Sequence, residues 1–327
     1  MAYSNIIDRS GAQATMPEEV SNVVLQQTTE MSAVMRMAKK LPNMTRAQTR
    51  LPVLESLPTA YFASGDNSLK QTTEVSWTNK YIDAEELAVI IPIPRTVLAD
   101  SALDIWGYVS PLVVESLGIA IDRAVLYGTN IPTSWTTNLG AAGLVARATA
   151  ATQTASLASF TDTYEALLGE SAPGSADGIL MLLEADGFMA TGHIAHTSMK
   201  GKLRNTRDAD GQPIFHPGQQ IGTSFATGTI DGAEVLYPLN GAIDASSSLL
   251  IAAAWNQLLY AVRQDIEYSI HTDGVVQDAS GNIIHNLMQQ NMIALRAVMR
   301  LGFALPNPIK RINTNSTTRC PVAVLTA

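Results

Sequence analysis

Between Thr49 and Pro94 the chain sets out two strand-like limbs around a polar tip, Ser64-Gly65-Asp66-Asn67-Ser68, that has almost nothing apolar to bury at home. The first limb alternates through Leu51, Val53 and Leu54. The second returns through Glu74-Val75-Ser76-Trp77 to the apolar run Leu87 to Ile93. A two-stranded ribbon is marginal in water, and ordering one costs conformational entropy that only further packing can offset. The segment therefore calls for something outside its own subunit to lie against.

Composition sharpens that demand. Charged residues make up only 15% of the 327 residues, against 46% hydrophobic, where about a quarter charged is usual. Such a chain either buries a large core or gives much of its surface to partners. No apolar run reaches the roughly 18–20 residues of a membrane helix, and the first residues lack the basic-then-apolar pattern of a secretory signal. The single Cys320 excludes a disulfide framework and a multi-cysteine zinc site, and fits folding in a reducing cytoplasm.

Charge is segregated along the chain. Residues 31–50 hold five cations (Arg36, Lys39, Lys40, Arg46, Arg50) and no acid; residues 291–327 hold Arg296, Arg300, Lys310, Arg311 and Arg319, again with no acid. The net charge is −8, so two basic flanks enclose a strongly acidic middle. With no basic helix and no aromatic-interleaved patch, neutralisation within or between copies explains this better than specific nucleic-acid binding.

The periodicities predict an extended arm over residues 1–15. A helix follows from Pro17, broken near residues 26–29, with Lys39 and Lys40 at its negative end. Arg95 to Gly128 carries the strongest helical stripe, with Trp106, Val109, Val113, Leu117, Ala120, Ala124 and Tyr127 on one face and Gly128 as cap. Pro111 either kinks that helix or, with Ser110 as cap, marks its start. Residues 129–159 read as loops and short strands. Thr161 to Leu168 reads as helix; Leu180 to Leu183, Val235 to Leu239, Leu249 to Trp255 and Leu258 to Ile270 read as strands. For Asn291 to Phe303 the spacing of Ala294, Val298 and Leu301 favours helix over strand.

Chemistry-bearing motifs are sparse. No phosphate loop, dinucleotide fingerprint, serine elbow or His-Glu-x-x-His occurs. His193 and His196 with Asp186 could bind a metal only if they shared a face, and surface histidines at that spacing are common. Asp208 and Asp210 read as a turn, since the twelve-residue calcium pattern is missing. Glu85 and Glu86 point to opposite sides of a strand, and Cys320 has no His nearby. The reading is of no catalytic, cofactor-binding or metal-binding residues.

In their order, these features resemble the major capsid protein of tailed bacteriophages. Met16 to Val20 and the broken helix resemble that family's N-terminal arm, and the hairpin its extended loop. Trp77-Thr78-Asn79-Lys80, Glu85 to Pro94 and Val97 to Ile105 are similar to the family's entry into a long spine helix, and Ala120 to Gly128 to that helix's ending. Lys202 to Asn205 with Asp208 to Pro213 resembles a hairpin of the axial domain.

The resemblance implies an α+β capsid fold: an arm at 1–48, an extended loop at 49–94, a peripheral domain at 95–150 and 258–306, and an axial domain at 151–257 and 307–327. It implies a non-enzymatic subunit without cofactor that forms pentamers and hexamers of an icosahedral head around double-stranded DNA. Assembly contacts would fall on Arg36, Lys39, Lys40, Arg46, Arg50, Tyr61, Phe62, Lys70 and Trp77. Implied partners are many copies of itself, a separate scaffolding protein, a portal, packaged DNA without sequence-specific binding, and a decoration protein whose presence the sequence leaves open. No membrane is involved; the protein would be assembled in the host cytoplasm and reside in the virion. Lys70 lacks a matching acid for the isopeptide cross-link of some relatives. The alternatives are a nanocompartment shell of the encapsulin type and a homo-oligomeric enzyme using His193 and His196.

Overall fold

The computed structural model describes residues 31–62, 69–100, 105–140, 142–169, 177–206, 226–278 and 280–327. The expected arm over 1–15, the helix start at Pro17, the tip 64–68 and the turn at Asp208–Pro213 lie outside them.

In chain order the elements are α1 (Ala33–Met37), β1 (Lys39–Lys40), β2 (Gln48–Leu54), β3 (Trp77–Asp83), β4 (Glu85–Pro94), α2 (Arg95–Asp100), α3 (Ile105–Tyr127), α4 (Thr133–Leu139) and α5 (Gly143–Ala150). Next come β5 (Thr154–Ser156), α6 (Thr163–Leu168), α7 (Ile179–Ala185), β6 (Gly192–Ala195), α8 (Thr197–Asn205), β7 (Ala226–Ile230), β8 (Ala233–Tyr237) and β9 (Leu250–Ala253). The chain closes with β10 (Leu259–His271), β11 (Val275–Gln277), β12 (Ile283–Asn286), β13 (Met292–Ala304) and β14 (Val322–Thr326).

Two larger sheets organise the chain. One runs β1-β10-β13-β4; the other, mixed, runs β5-β14-β9-β6-β8-β7. The long α3 sits in the core between them. Val113, Leu117, Ile121 and Val125, one every four residues, are buried against Ile194, Ile251, Ala253 and Val324 of the mixed sheet and Ala297, Met299 and Leu301 of the other. The opposite face of the mixed sheet carries Ala195, Leu250, Ala252, Ala323 and Leu325, covered by Leu167, Leu180, Leu183, Met199 and Leu203 from α6, α7 and α8. Strict alternation along β6, β9 and β14 thus serves two cores at once, which is why these strands are apolar but for His193 in β6 and Thr326 at the end of β14.

Several sequence expectations are corrected. Residues 129–159 contain α4 and α5, because Trp135 with Leu139 and Leu144 with Ala148 are buried pairs four residues apart. The turn between α3 and α5 depends on glycine: Gly128 (φ +69°) and Gly143 (φ +78°) touch, and a Cβ on Gly143 would lie 2.6 Å from the Gly128 nitrogen. Residues 180–183 are helix in α7, not strand; a four-residue apolar run has no period long enough to decide. Asn291 to Phe303 is strand, not helix. β13 pairs on both edges, with β10 and β4, and its buried Leu295, Ala297, Met299 and Leu301 alternate with half-buried Arg296, Val298 and Arg300.

Lys39 and Lys40 lie in β1, beyond the end of α1, rather than in a helical last turn. Lys202 to Asn205 belongs to α8, not to a hairpin. Of the expected Arg95 to Gly128 helix, Arg95–Asp100 and Ile105–Tyr127 are described as helix, and Pro111 lies inside α3 and does not start it. The expected hairpin ends at Asp83: β2 and β3 pair from Gln48↔Asp83 to Leu54↔Trp77, whereas β4 crosses to the other sheet and pairs with β13.

Candidate assembly interface

The hairpin is anchored at its root and held by single bonds out to Pro58, whose carbonyl accepts from Arg311 Nη2 at 3.1 Å. Ile82 is fully buried beside Met44, Ala84, Ala261 and Ala304. Trp135 Nε1 donates to the Asp83 carbonyl at 2.9 Å and Asn138 Nδ2 to the Tyr81 carbonyl at 2.6 Å, so α4 grips the backbone of β3. On β2, the Leu54 carbonyl accepts from Ile309 N at 3.4 Å. Outward from there the two limbs hold each other through Ser56 and Ser76 and through Tyr61 with Gln71. Phe62 is wholly exposed, and Leu69, Trp77 and Tyr61 are exposed as well. Four large apolar side chains thus stand in water on an arm whose own subunit offers them nothing.

A second projection was not read from the sequence. β10 and β13 are 13 residues each, roughly 40 Å long. Past Val262 most of β10 is exposed, and its end carries the small β11–β12 ribbon. Ile270, Val275, Ile283, Ile284 and Met288 are all exposed there. The signal was available in two short β-branched runs, Val275-Val276 and Ile283-Ile284, set between Gly274 and Gly281-Asn282.

The named cations are placed as follows. Lys39, Lys40, Arg46, Arg50 and Lys70 are exposed. Arg36 pairs with Glu234 at 2.6 Å, and Arg296 of the other basic flank pairs with Glu86 at 3.3 Å. Both ion pairs tie a basic flank to the acidic middle, the intramolecular part of the neutralisation expected from charge order.

The start of the described chain is latched to α3. Asp122 is fully buried and accepts from Ser32 Oγ at 2.5 Å, Ala33 N at 2.9 Å and Val34 N at 3.1 Å, taking up the free amides of the first turn of α1. Gly118, one turn earlier, lets the backbone approach: a Cβ there would meet Ser32 N at 2.8 Å.

The candidates for chemistry are dispersed. His193 lies fully buried in β6, while His196 caps α8 by accepting from Ser198 N. Asp186 accepts from Gln153, Asn313 and the Cys320 amide. These three side chains form no common site. Cys320 is buried, and burial pushes its thiol pKa up. Glu85 accepts from Ser134 at 2.6 Å while Glu86 faces Arg296, so the two do point apart. Among the described residues no group of three or more His, Cys, Asp or Glu could hold a metal, and no helix is long and apolar enough to cross a membrane.

The Phage capsid family model matches residues 12–313. The chain belongs to that family. It is 22% identical to the major capsid protein of Staphylococcus phage 80alpha over 302 residues, covering 91% of this chain and 84% of that one. A solved structure from Microbacterium phage Oxtober96 superposes with a TM-score of 0.76 at 28% identity, covering 98% of this chain and 99% of that one. One from Mycobacterium phage Adephagia gives 0.78 at 26% identity, covering 98% of each. The chain is a phage major capsid protein, a structural subunit of a multi-copy shell in the virion and not an enzyme. The α+β capsid fold read from the sequence is the fold found.

Proposed function

We propose that copies of this chain close into pentamers and hexamers tiling an icosahedral head around double-stranded DNA. In that shell the hairpin of residues 48–83 lies across a neighbouring copy. The observation that carries this reading is the wholly exposed Phe62, with Tyr61, Leu69 and Trp77, on an arm tied, among the described residues, to its own body no farther out than Pro58. Burying Phe62, Leu69 and Trp77 would contribute about 5 kcal/mol per copy before ordering costs. Heterologous contacts of this kind form rings when their rotation closes. Lys39, Lys40, Arg46, Arg50 and Lys70 meet acidic surfaces of adjacent copies; Arg36, already paired at home, is a weaker candidate.

The four-part division into arm, extended loop, peripheral and axial domains goes with this reading, as do host-cytoplasmic assembly, a separate scaffold and a portal. A net charge of −8 keeps the wall from gripping DNA. The double variant Phe62→Ser, Trp77→Ser tests the reading. The subunit should keep its circular dichroism, and velocity sedimentation should show loss of shells. Shells at normal yield and size would refute it.

A further inference from the structure

Where the hairpin root meets the body there is a cavity of about 490 Å³ between β2 and β3 on one side and the segment 306–319 on the other. Its charged wall residues are Lys80, Arg147 and Arg319 against a single acid, Glu55. The two arginines differ in how they are satisfied. Arg319 is buried and each of its three nitrogens has a partner: Nε donates to Asn307 Oδ1 at 3.2 Å, Nη1 to the Asn313 carbonyl at 2.9 Å and Nη2 to the Asn307 carbonyl at 3.0 Å. The negative charge of Asp186 also acts on it.

Arg147 has one neutral partner, the Asn138 carbonyl at 2.5 Å, and no carboxylate among the described residues lies within 4.0 Å of it. Burial lowers its pKa. Two ionisable groups act on it: Cys320, whose buried thiol is pushed up and so stays uncharged at neutral pH, and the like-charged Arg319. A half-buried guanidinium on a cavity wall with no counter-charge is placed to take an anion, because partial burial strengthens the attraction.

We propose that this cavity is an anion site that takes an oxyanion, held by Arg147 and Lys80 with the Thr78 and Ser316 hydroxyls on its wall. Arginine suits such a ligand because its planar fork matches phosphate and carboxylate oxygens. Lys80 sits on the hairpin and Arg147 on α5, so a bound anion bridges hairpin and body and fixes the angle between them. Two sources share this chemistry: free phosphate, and a carboxylate side chain of a second copy.

Calorimetric titration of inorganic phosphate into dissociated subunits and into assembled shells tests the site, with hydrogen exchange of residues 48–54 and 77–83 read alongside. The expected result is saturable binding to the subunits that slows exchange in both strands. Lys80→Gln should weaken it tenfold or more and Glu55→Gln should tighten it; Arg147→Gln should abolish it. Binding retained in shells identifies free phosphate as the ligand. Binding confined to subunits identifies a neighbour's carboxylate, and that arm alone rests on the capsid reading. No saturable binding in either form, or binding unchanged by Lys80→Gln, overturns the proposal whether or not Arg147→Gln folds.

Discussion

Replacing Asp122 by alanine removes the acceptor for three hydrogen bonds in a fully buried place. The Ser32 hydroxyl at 2.5 Å and the Ala33 and Val34 amides at 2.9 and 3.1 Å lose their partner together. A hydrogen bond to a charged group is worth about 1.5–3 kcal/mol, and each amide left buried and unsatisfied costs about 1–3 kcal/mol. Water entering the vacated space recovers part of this, so the local loss comes to about 3–5 kcal/mol. The burial of Ala33 and Val34 against α3 remains, so the expected change is release of α1 rather than collapse of the body. Hydrogen exchange read by mass spectrometry resolves the two. Amides 33–38 should exchange about a hundredfold to several thousandfold faster at pH 7, with the strands of the mixed sheet unchanged. Asp122→Asn keeps one acceptor oxygen and should fall between. Protection of 33–38 equal to the parent would show that Asp122 does not hold this segment, and the reasoning would fail.

His193 gives a pH prediction. Neither ring nitrogen has a well-formed hydrogen bond, and burial, only partly offset by the nearby Ile230 backbone and Asp231, lowers its pKa to about 4. The unfolded chain takes up this proton near the ordinary 6.5 and the folded one only near 4. Stability is therefore full above 6.5, falls as pH drops through the window, and is lower by roughly 3 kcal/mol below 4. Urea midpoints of dissociated subunits at pH 7 and 4.5 should differ more for the parent than for His193→Leu; equal differences would contradict this. Gly302→Ala places a methyl 2.4 Å from the Asp83 carbonyl oxygen and 2.6 Å from Ile82 Cγ2, at the hairpin root. It should cost about 1–3 kcal/mol in the same assay, and an unchanged midpoint would show that the root has slack. The exposed Arg296–Glu86 pair should contribute no more than about 1 kcal/mol, so Arg296→Gln should leave the urea midpoint almost unmoved.

What could be read from the sequence depended on whether one physical pressure acted alone. α3 was legible because its stripe faces a core along its length, and β8 and β9 because short apolar runs had no competing period; β10 was legible from its opening apolar run, Leu258 to Val262. β13 misled because Ala294, Val298 and Leu301 fall by chance at helical spacing, although Leu295, Ala297, Met299 and Leu301 alternate with Arg296, Val298 and Arg300 as a strand requires. β4 was read as part of the hairpin because its true partner, β13, lies some two hundred residues away, and no local signal carries that pairing. Phe62 and Trp77, expected as assembly contacts from the resemblance, are exposed in the fold. The distal end of the β10–β13 ribbon escaped notice because Ile270, Ile283 and Ile284 look like ordinary strand residues until the fold leaves them bare. The charge order was informative in a limited way: Arg36 and Arg296 find acids within the subunit, while Lys39, Lys40, Arg46 and Arg50 stay in solvent.

The account turns on whether sister copies cover the surfaces this subunit leaves open. Hydroxyl-radical footprinting of Phe62, Trp77 and Tyr61 in dissociated subunits and in intact shells reads that directly. All three should be labelled readily in subunits and strongly protected in shells; equal labelling in the two states would contradict the account.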